Sequence, residues 1–510
     1  MESDSRPELL AWQERRARTL DEFRSEAREK RHAKGYRTAR ENVADLVDAH
    51  SFQEYGQLAV AAQRSRRDYE ELQSSTAADG IITGTCTINA EQVGPAAARA
   101  AIIVNDYAVL AGTQGYFHHK KLDRMCELAE EQSLPVIMYT EGGGGRPGDT
   151  DVSVQIAGLN INSFYTWAAL SCKVPRIAVN NGYCFAGNAA LFGSADVTIA
   201  TRNSWIGMAG PAMIEGGGLG KFKPTEIGPI EVQEKNGVVD IVAEDEAHAT
   251  ALACQLLAYF QGPLQRWTVA PQETLRDMVP EDRRWAYSVR KVIETVADEG
   301  SFLELRRIYG RSIITGFIRF EGKPVALIAN DCQQMGGAVD AEAAEKAARF
   351  LRICEAFKIP LLSLTDTPGF MVGPASEQQA AVRRMTDLFV AGAAMSVPIV
   401  AIFLRKGYGL GAMAMTGGSF VRPVYAAAWP TGEFGGMGLE GAVRLGFSKE
   451  LGAIQDPAER EKLFDELVAQ AYEDGKATEA ATHLEIDAVI DPADTRAVIL
   501  RALAAAPGCK

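Results

Sequence analysis

The fold is decided by a stretch that reads Val174-Pro175-Arg176-Ile177-Ala178-Val179-Asn180-Asn181-Gly182-Tyr183-Cys184-Phe185-Ala186-Gly187-Asn188. A second stretch of the same pattern reads Val397-Pro398-Ile399-Val400-Ala401-Ile402-Phe403-Leu404-Arg405-Lys406-Gly407-Tyr408-Gly409-Leu410-Gly411. In each, a proline precedes a β-branched run that predicts a buried strand, a Gly-Tyr turn follows, and small residues open a short helix, predicted at 189–194 and at 412–417. Glycines between a strand and a helix leave backbone N–H groups directed at one point near the positive end of the helix dipole. Residues 182–188 (the first turn) and 407–411 (the second turn) are therefore predicted to bind an oxyanion; the alternative is that their small residues only allow close helix packing.

The similarity between the two stretches extends over most of the chain. Short motifs recur at one constant spacing: Asn105-Asp106 and Asn330-Asp331, Lys121 and Lys346, Pro135 and Pro360, Gly182-Tyr183 and Gly407-Tyr408. Farther upstream the spacing becomes slightly longer: Ile81-Ile82-Thr83-Gly84 and Ile313-Ile314-Thr315-Gly316. A period that covers nearly half of the chain predicts a tandem pair of domains, because solenoid repeats have periods of roughly 20 to 50 residues. Strands alternate with helices in each copy, which indicates a layered α/β fold.

The chain is long enough for two hydrophobic cores and has the composition of a globular protein. It has 510 residues and a formal net charge of −13. Nucleic acid and membranes are disfavoured as partners, because nucleic acid and anionic membranes bind a basic face. The sequence has no apolar run of about 18 residues and no signal-peptide core, so we expect a cytoplasmic protein. Its eight cysteines show no C-x-x-C spacing, which predicts reduced thiols and no zinc site.

The N-terminal residues predict a helical extension. Apolar residues recur there at helical spacing: Leu9, Trp12, Leu20, Phe23 and Ala27. Gly35 ends the pattern, so residues 6–34 are predicted to form one long helix. Its basic residues, Arg31 among them, interleave with acids, which favours a solvated face over an anion site.

A glycine run follows the strand predicted at 135–140, and it reads Glu141-Gly142-Gly143-Gly144-Gly145-Arg146. Such a run could form a mobile surface loop or the wall of a pocket. Its position, one strand before the first turn, favours a pocket wall. Residues 154–172 are then predicted to form a helix whose inward side chains are Ile156, Leu159, Phe164 and Trp167.

Three common kinds of catalytic site are not supported. The run Glu215-Gly216-Gly217-Gly218-Leu219-Gly220-Lys221 fails the phosphate-loop pattern, because it does not begin with glycine and Phe222 follows the lysine. The glycines of the second turn lack the third glycine and the acid of a dinucleotide site. No histidine lies between His248 and His483, so nothing marks a Ser-His-Asp site near the second turn. We therefore expect no nucleotide in this chain and chemistry that rests on backbone N–H groups.

Both copies resemble the crotonase-like domain, and the pair resembles the carboxyltransferase (β) subunit of biotin-dependent acyl-CoA carboxylases of the propionyl-, methylcrotonyl- and geranyl-CoA type. The motifs that carry the resemblance span nearly the whole chain: Thr38-Ala39-Arg40-Glu41, Asp366-Thr367-Pro368-Gly369-Phe370, Arg405-Lys406-Gly407-Tyr408-Gly409, Ala428-Trp429-Pro430-Thr431 and Met437-Gly438-x-Glu440-Gly441-Ala442-Val443. The resemblance implies three parts. Residues 1–37 are an N-terminal extension, residues 38–285 are the N-terminal domain on the acyl-CoA side, and residues 286–510 are the C-terminal domain on the biotin side. The family implies a homohexamer built from dimers, which works with a biotin carboxylase and a biotin carrier subunit.

The resemblance also implies a reaction, in which a carboxyl group passes from carboxybiotin to the α-carbon of an acyl-CoA. Carboxybiotin releases CO2, the ureido nitrogen of biotin takes the α-proton, and the thioester enolate attacks CO2. The first turn would hold the enolate oxygen and the second turn the biotin oxygen. Two alternatives stay open: a biotin-dependent decarboxylase or transcarboxylase subunit that runs the same half-reaction, and a non-catalytic scaffold of a carboxylase complex.

Residue roles follow from the same resemblance, and no metal ligand is among them. The catalytic oxyanion donors fall at Gly187 and Asn188 in the first turn and at Leu410 and Gly411 in the second, where relatives usually have Gly-Gly and Gly-Ala. The predicted substrate-binding residues are Gly143, Gly144, Gly145, Arg146, Gly182, Ala186 and Met413, the last at the family's acyl-specificity position. The predicted biotin-binding residues are Tyr408, Gly409, Gly369 and Phe370.

Overall fold

The fold is seen in a computed structural model, which describes residues 6–152 and 159–506. The chain divides into two compact units, Met1–Gly262 and Pro263–Lys510. This division falls before the predicted boundary at 285/286, because residues 263–285 pack with the second unit. Leu275 and Val279 belong to that unit's hydrophobic core, and the backbone N–H of Leu264 donates to Gly322 O (3.0 Å).

The first unit has a central sheet covered by helices. Its strands are β1 (Gln53–Tyr55), β2 (Ile81–Thr87), β3 (Arg99–Asn105), β4 (Val136–Tyr139), β5 (Arg176–Asn180), β6 (Tyr183–Phe185), β7 (Val197–Thr201), β8 (Trp205–Gly207) and β9 (Ile241–Ala243). Its helices are α1 (Pro7–Ala17), α2 (Ser25–His32), α3 (Ala39–Leu46), α4 (Tyr69–Ser75), α5 (Ala90–Val93), α6 (Tyr116–Gln132), α7 (Ser163–Ala169), α8 (Gly187–Gly193), α9 (Pro211–Gly216), α10 (Ile230–Gln233) and α11 (Glu246–Gln261). The sheet order is β1-β2-β3-β4-β5-β7-β9, antiparallel up to β3 and parallel beyond it, while β6 pairs with β8.

The second unit repeats this plan. Its strands are β10 (Leu303–Leu305), β11 (Ile313–Phe320), β12 (Lys323–Asn330), β13 (Leu361–Thr367), β14 (Ile399–Tyr408), β15 (Tyr425–Ala428), β16 (Glu433–Gly435) and β17 (Ala488–Val489). Its helices are α12 (Val289–Val296), α13 (Ala341–Ala356), α14 (Pro374–Glu377), α15 (Ala381–Ala394), α16 (Gly409–Met415), α17 (Leu439–Gly446), α18 (Ser448–Ala453), α19 (Pro457–Asp474), α20 (Ala477–Thr482) and α21 (Thr495–Ala505). The sheet order is β10-β11-β12-β13-β14-β15-β17, and β16 pairs with the end of β14.

The central strands are built by the proline-initiated apolar runs seen in the sequence. Residues of β4 and β5 are buried throughout, as expected of parallel strands that are covered on both faces. The carbonyl of Pro175 accepts from the N–H of Val136 (2.8 Å) and that of Pro135 accepts from Ala101 (2.9 Å), so the prolines begin the parallel pairing.

The register between the two turns differs from the prediction. Gly142 pairs with Cys184, and Thr367, which occupies the place of Gly142 in the second copy, pairs with Gly407. Cys184 therefore corresponds to Gly407, and the predicted match of Gly182-Tyr183 with Gly407-Tyr408 is wrong by two positions. In the corrected register Gly187 is equivalent to Leu410, and Asn188 is equivalent to Gly411. The Val-Pro pairs that open the two stretches, Val174-Pro175 and Val397-Pro398, already have the corrected spacing, whereas the Gly-Tyr pairs match by coincidence.

The N-terminal segment forms two helices, α1 and α2, and the prediction of one long helix is wrong. The chain turns between them because tertiary contacts hold residues 18–24. Arg40 donates to the carbonyl of Thr19 (2.8 Å), and Arg24 donates to Asp106 (2.6 Å).

Within residues 159–172, the described part of the predicted helix 154–172, the structure has α7 at Ser163–Ala169. Positions 153–158, including Ile156, lie outside the described residues. Trp167 is buried as predicted, but Leu159 and Phe164 are exposed. No helix within residues 6–152 and 159–506 is long and apolar enough to cross a membrane.

Candidate active site

The first turn places a helix directly after a short buried strand. Ala186 follows β6 with a positive φ of 51°, a conformation that reverses the chain, and α8 begins at Gly187. The first amide bonded within α8 is that of Ala190, to the carbonyl of Ala186 (2.9 Å). The N–H groups of residues 187–189 therefore precede the helix ladder, as the first amides of every helix do. The helix starts before the predicted position, so the predicted donors are its first two residues.

The glycine run packs against the first turn. The N–H of Gly142 donates to Tyr183 O (2.7 Å), and the carbonyl of Gly142 accepts from Phe185 (3.0 Å). A Cβ built at Gly144 would lie 2.7 Å from the Cβ of Ala186 and 3.5 Å from the backbone nitrogen of Gly187. Only glycine permits this approach. The structure thus brings together four predicted site residues, which are Gly144, Ala186, Gly187 and Asn188.

The side chain of Asn188 holds the glycine run in place. Its Oδ1 accepts from the N–H of Gly144 (2.9 Å), its Nδ2 donates to Thr140 O (3.1 Å), and the residue is 0% exposed. The side chain points into the protein and leaves its own backbone N–H at the start of α8.

The remaining predicted residues of the first unit have different surroundings. Gly143 approaches Thr113, whereas a Cβ at Gly145 would meet no atom within 4 Å. The guanidinium of Arg146 is buried against Asp79 (2.5 Å) and donates to Thr113 O (3.0 Å). These contacts make Arg146 a support of the glycine run, and its role as a substrate contact stays a prediction.

A buried ion pair beside the first turn was missed in the sequence. Both terminal nitrogens of Arg31, in α2, donate hydrogen bonds to the carboxylate of Glu141 (2.9 and 2.8 Å). The prediction that Arg31 lies on a solvated face is therefore wrong. A Cβ at Gly182 would overlap the carboxylate of Glu141, which explains the glycine at that position. Burial raises the pKa of Glu141 to about 7, although Arg31 opposes the rise. An acid directly after a buried strand was the available signal, but its partner lies 110 residues away in the sequence.

A cavity of about 350 Å³ opens at this ion pair. Aromatic side chains form much of its wall, and lysines lie at its edge: Tyr36, Tyr107, Tyr183, Lys30 and Lys34. Glu26 also lines the cavity and accepts from Lys30 (2.6 Å), so the cavity offers flat apolar surfaces together with one lysine paired to an acid and a second lysine, Lys34.

The second turn has the same construction. β14 runs to Tyr408, Gly409 has a positive φ of 59°, and α16 follows. A Cβ at Gly411 would lie 2.6 Å from the carbonyl carbon of Gly369 and 2.8 Å from the backbone nitrogen of Phe370. The predicted site residues Gly369, Phe370 and Gly411 therefore lie together at the start of α16. Leu410 is 61% exposed, so its side chain leaves the turn, and Tyr408 is buried with its hydroxyl donated to Glu433 (2.9 Å).

An acid beside the second turn is also paired with arginine. Asp366, which occupies the place of Glu141 in the second copy, accepts from Arg405 (3.0 and 3.2 Å). Arg405 corresponds to Gly182 in the corrected register. The second unit thus obtains its arginine from the strand itself, whereas the first obtains it from α2.

A second cavity, of about 610 Å³, lies beside α16. Its lining combines the apolar side chains Met413, Phe420, Phe434 and Ala480 with the charged residues Asp474, Glu479 and Glu485. Met413 therefore borders a space large enough for an apolar chain. No group of three or more His, Cys, Asp or Glu side chains that could hold a metal occurs in the part of the chain that the structure describes.

Comparisons with known proteins identify the family. Residues 30–507 match the model of the carboxyl transferase domain. The chain is 33% identical to the methylmalonyl-CoA carboxyltransferase 12S subunit of Propionibacterium freudenreichii subsp. shermanii, over 93% of this chain and 89% of that subunit. A crystal structure of a transcarboxylase 12S hexamer with methylmalonyl-CoA superposes with a TM-score of 0.84 and 30% identity, over 99% of this chain and 95% of that one. A single-chain, multi-domain long-chain acyl-CoA carboxylase gives a TM-score of 0.93 and 57% identity, over 98% of this chain but 49% of that one. The chain therefore belongs to the carboxyl transferase domain family.

Proposed function

We propose that this chain is the carboxyltransferase component of a biotin-dependent acyl-CoA carboxylase, built from two crotonase-like units that arose by tandem duplication. One observation supports it above all. In each unit a residue of positive φ is followed by a helix whose first amides lie against a glycine of the preceding loop, Gly144 in one and Gly369 in the other. Two such oxyanion turns suit a reaction in which two carbonyl groups gain charge at different stages.

The first unit is assigned to the acyl-CoA. The enolate oxygen is placed at the N–H groups of Gly187 and Asn188. The tyrosine-lined cavity beside the turn, with Lys30 and Lys34 at its edge, suits a ligand that carries an aromatic base and phosphates. Removal of water from this site strengthens each hydrogen bond to the enolate oxygen.

The second unit is assigned to biotin, which reaches this chain as carboxybiotin on a partner carrier. The residues present fit a ureido group, because the start of α16 offers backbone N–H donors and the half-buried ring of Phe370 offers an apolar surface. The N–H groups of Leu410 and Gly411 would hold the ureido oxygen. Biotin itself supplies the carboxyl group and the nitrogen that takes the α-proton.

The acyl group is assigned to the long-chain class. Two observations support this choice: the 57% identity to the long-chain acyl-CoA carboxylase, and the cavity beside Met413. That cavity belongs to the second unit, which in the proposed hexamer of dimers would complete the acyl-CoA site of a partner subunit's first unit. A homohexamer and a biotin carboxylase partner are proposed from the relatives, and a cytoplasmic location stays a prediction. Transcarboxylation is the second candidate, because the chain matches the 12S subunit over nearly its whole length.

The experiment removes one N–H from each turn. Gly187→Pro and Leu410→Pro stand at corresponding positions, and Gly187→Ala and Leu410→Ala keep the N–H. Because a Cβ at Gly187 would meet Gln114 Oε1, Gly187→Ala measures the steric effect that Gly187→Pro shares, and the loss is taken relative to it. Leu410 is chosen in the second turn, because a side chain at Gly411 would strike the backbone of Gly369. Gly187→Pro should abolish α-proton exchange of palmitoyl-CoA, and Leu410→Pro should abolish decarboxylation of the carboxylated carrier while palmitoyl-CoA still binds.

The expected loss is about 100- to 1000-fold, the effect of one oxyanion donor. The hexamer and the melting temperature are checked in each variant. If Leu410→Pro lost palmitoyl-CoA binding while Gly187→Pro kept α-proton exchange, the two assignments would be reversed. Full activity in both proline variants would favour the scaffold alternative.

A further inference from the structure

A buried carboxamide lies against the first turn. Gln114 is 3% exposed, and a Cβ built at Gly187 would overlap its Oε1 and lie 3.1 Å from the ring of Phe164. Among the described residues, Nε2 of Gln114 has no hydrogen-bond partner. A buried amide N–H without an acceptor is costly, so native structures rarely keep one without a reason.

The backbone of Gln114 is fixed to the glycine run. Its N–H donates to Gly144 O (2.8 Å), and its carbonyl accepts from the N–H of Arg146 (2.8 Å). The side chain therefore starts from a rigid position beside Gly144 and Gly187, the two glycines that face each other at the first turn.

The second unit shows that this position does not need an amide. Val339 occupies the place of Gln114 in the second copy and makes the same two backbone bonds, to Gly369 O (3.0 Å) and from the N–H of Met371 (2.8 Å). The side chain of Val339 is fully buried. The same backbone arrangement is thus compatible with valine, and the fold alone does not explain the carboxamide of Gln114.

We propose that Gln114 is a further catalytic residue of the first turn, whose Nε2–H donates to the thioester oxygen of the acyl-CoA as this oxygen becomes the enolate. The proposal rests on the assignment of the first turn to acyl-CoA. The end of the carboxamide that a Cβ at Gly187 would meet is Oε1, and a half-turn about the last side-chain bond exchanges Oε1 with Nε2. In that orientation the donor end lies beside Gly187 and reaches an oxygen held at its backbone N–H. The second turn has valine at this position, so the additional donor serves the enolate and not the biotin oxygen.

The test compares Gln114→Val, the residue that the second unit carries, with Gln92→Val at an exposed position of the same unit. With palmitoyl-CoA and a carboxylated carrier, Gln114→Val should lower kcat about 100-fold and leave KM nearly unchanged, since the bond strengthens in the transition state. Decarboxylation of the carboxylated carrier, assigned to the second turn, should keep its rate. Gln92→Val should match the wild type in both assays.

The pH dependence of Gln114→Glu separates a catalytic role of this residue from a structural one. A protonated carboxyl group donates a hydrogen bond whereas a carboxylate repels the enolate, so the activity of this variant should rise as the pH falls, unlike that of the wild type. The proposal is overturned if Gln114→Val keeps kcat within about threefold, if both half-reactions fall equally, or if Gln114→Glu keeps the wild-type pH profile. Retention of α-proton exchange in Gly187→Pro would instead reject the assignment of the first turn.

Discussion

At the scale of single residues, one position shows how two similar sites are built differently. Asn188 and Gly411 occupy corresponding places at the start of their helices. In the first unit the asparagine side chain accepts from Gly144 and fills the space below the glycine run. In the second unit the Gly369-Phe370 backbone occupies that space directly, so only glycine fits. The backbone N–H at the turn is preserved in both, which explains why the site tolerates different side chains.

Met413→Trp tests the predicted acyl-specificity position. The larger side chain fills part of the cavity that Met413 borders, and each excluded methylene costs binding free energy of about 0.8 kcal/mol. We expect kcat/KM for palmitoyl-CoA to fall at least tenfold more than that for propionyl-CoA, or about 1.4 kcal/mol.

Rates of the reconstituted complex are measured across a panel of acyl-CoA chain lengths. Val421→Trp, at the exposed rim of the same cavity, serves as the control for added bulk. Equal losses for short and long chains would show that Met413 does not border the acyl chain.

At the scale of elements, helix α2 completes the first unit by supplying a charge. The strand residue Arg405 neutralises Asp366 in the second unit, but the corresponding position in the first unit is Gly182. Arg31 of α2 takes that role for Glu141. The N-terminal extension is therefore part of the site region of the first unit.

Arg31→Met tests this ion pair and its pH dependence. Burial raises the pKa of Glu141 to about 7, above the value of about 4.3 in an unfolded chain. Folded Glu141 thus holds its proton more tightly, so the stability that it contributes is present at low pH and is lost as the pH rises through the folded pKa. Without Arg31 that pKa rises further. The melting temperature should therefore be close to wild type below about pH 5 and fall increasingly toward pH 8, where breaking a buried pair costs about 3–5 kcal/mol.

Lys30→Met, on the exposed face of the same helix, should leave the melting temperature nearly unchanged, because exposed ion pairs contribute little. The double variant Arg31→Met/Glu141→Leu should recover most of the loss. A deficit in Arg31→Met that is the same at every pH would show that packing of α2, and not the charge of Glu141, sets the effect.

At the scale of the whole molecule, the two units share a strand order and the construction of the turn. They differ in what surrounds each turn: the first has a tyrosine-lined cavity edged by lysines, and the second has a larger cavity that combines apolar side chains with acids. This difference is the physical basis for assigning different substrates to units of the same fold.

The chain by itself should not carboxylate palmitoyl-CoA from bicarbonate and ATP. Its sequence has no phosphate loop and no Met-Lys-Met tripeptide for biotin attachment. Incorporation of labelled bicarbonate should appear only when a biotin carboxylase and a biotinylated carrier are added. ATP-dependent incorporation by the purified chain alone would contradict this prediction.

The sequence by itself determined the α/β class and the two turns, because short-range patterns encode them. Proline before a β-branched run predicts a buried strand, and glycines after it predict a helix; both helices occur, but they start at Gly187 and Gly409, before the predicted residues 189 and 412. Asn188 and Leu410 were predicted as donors by resemblance to relatives, which depends only on local motifs.

Only the tertiary structure decided the features that join distant parts of the chain. The pair Arg31–Glu141 and the carboxamide of Gln114 beside Gly187 each depend on residues that are far apart in sequence. The break between α1 and α2 has the same origin, because contacts with Arg40 and Asp106 override the helical pattern. Local periodicity carries no information about such contacts, since burial and charge pairing are settled only when the elements pack.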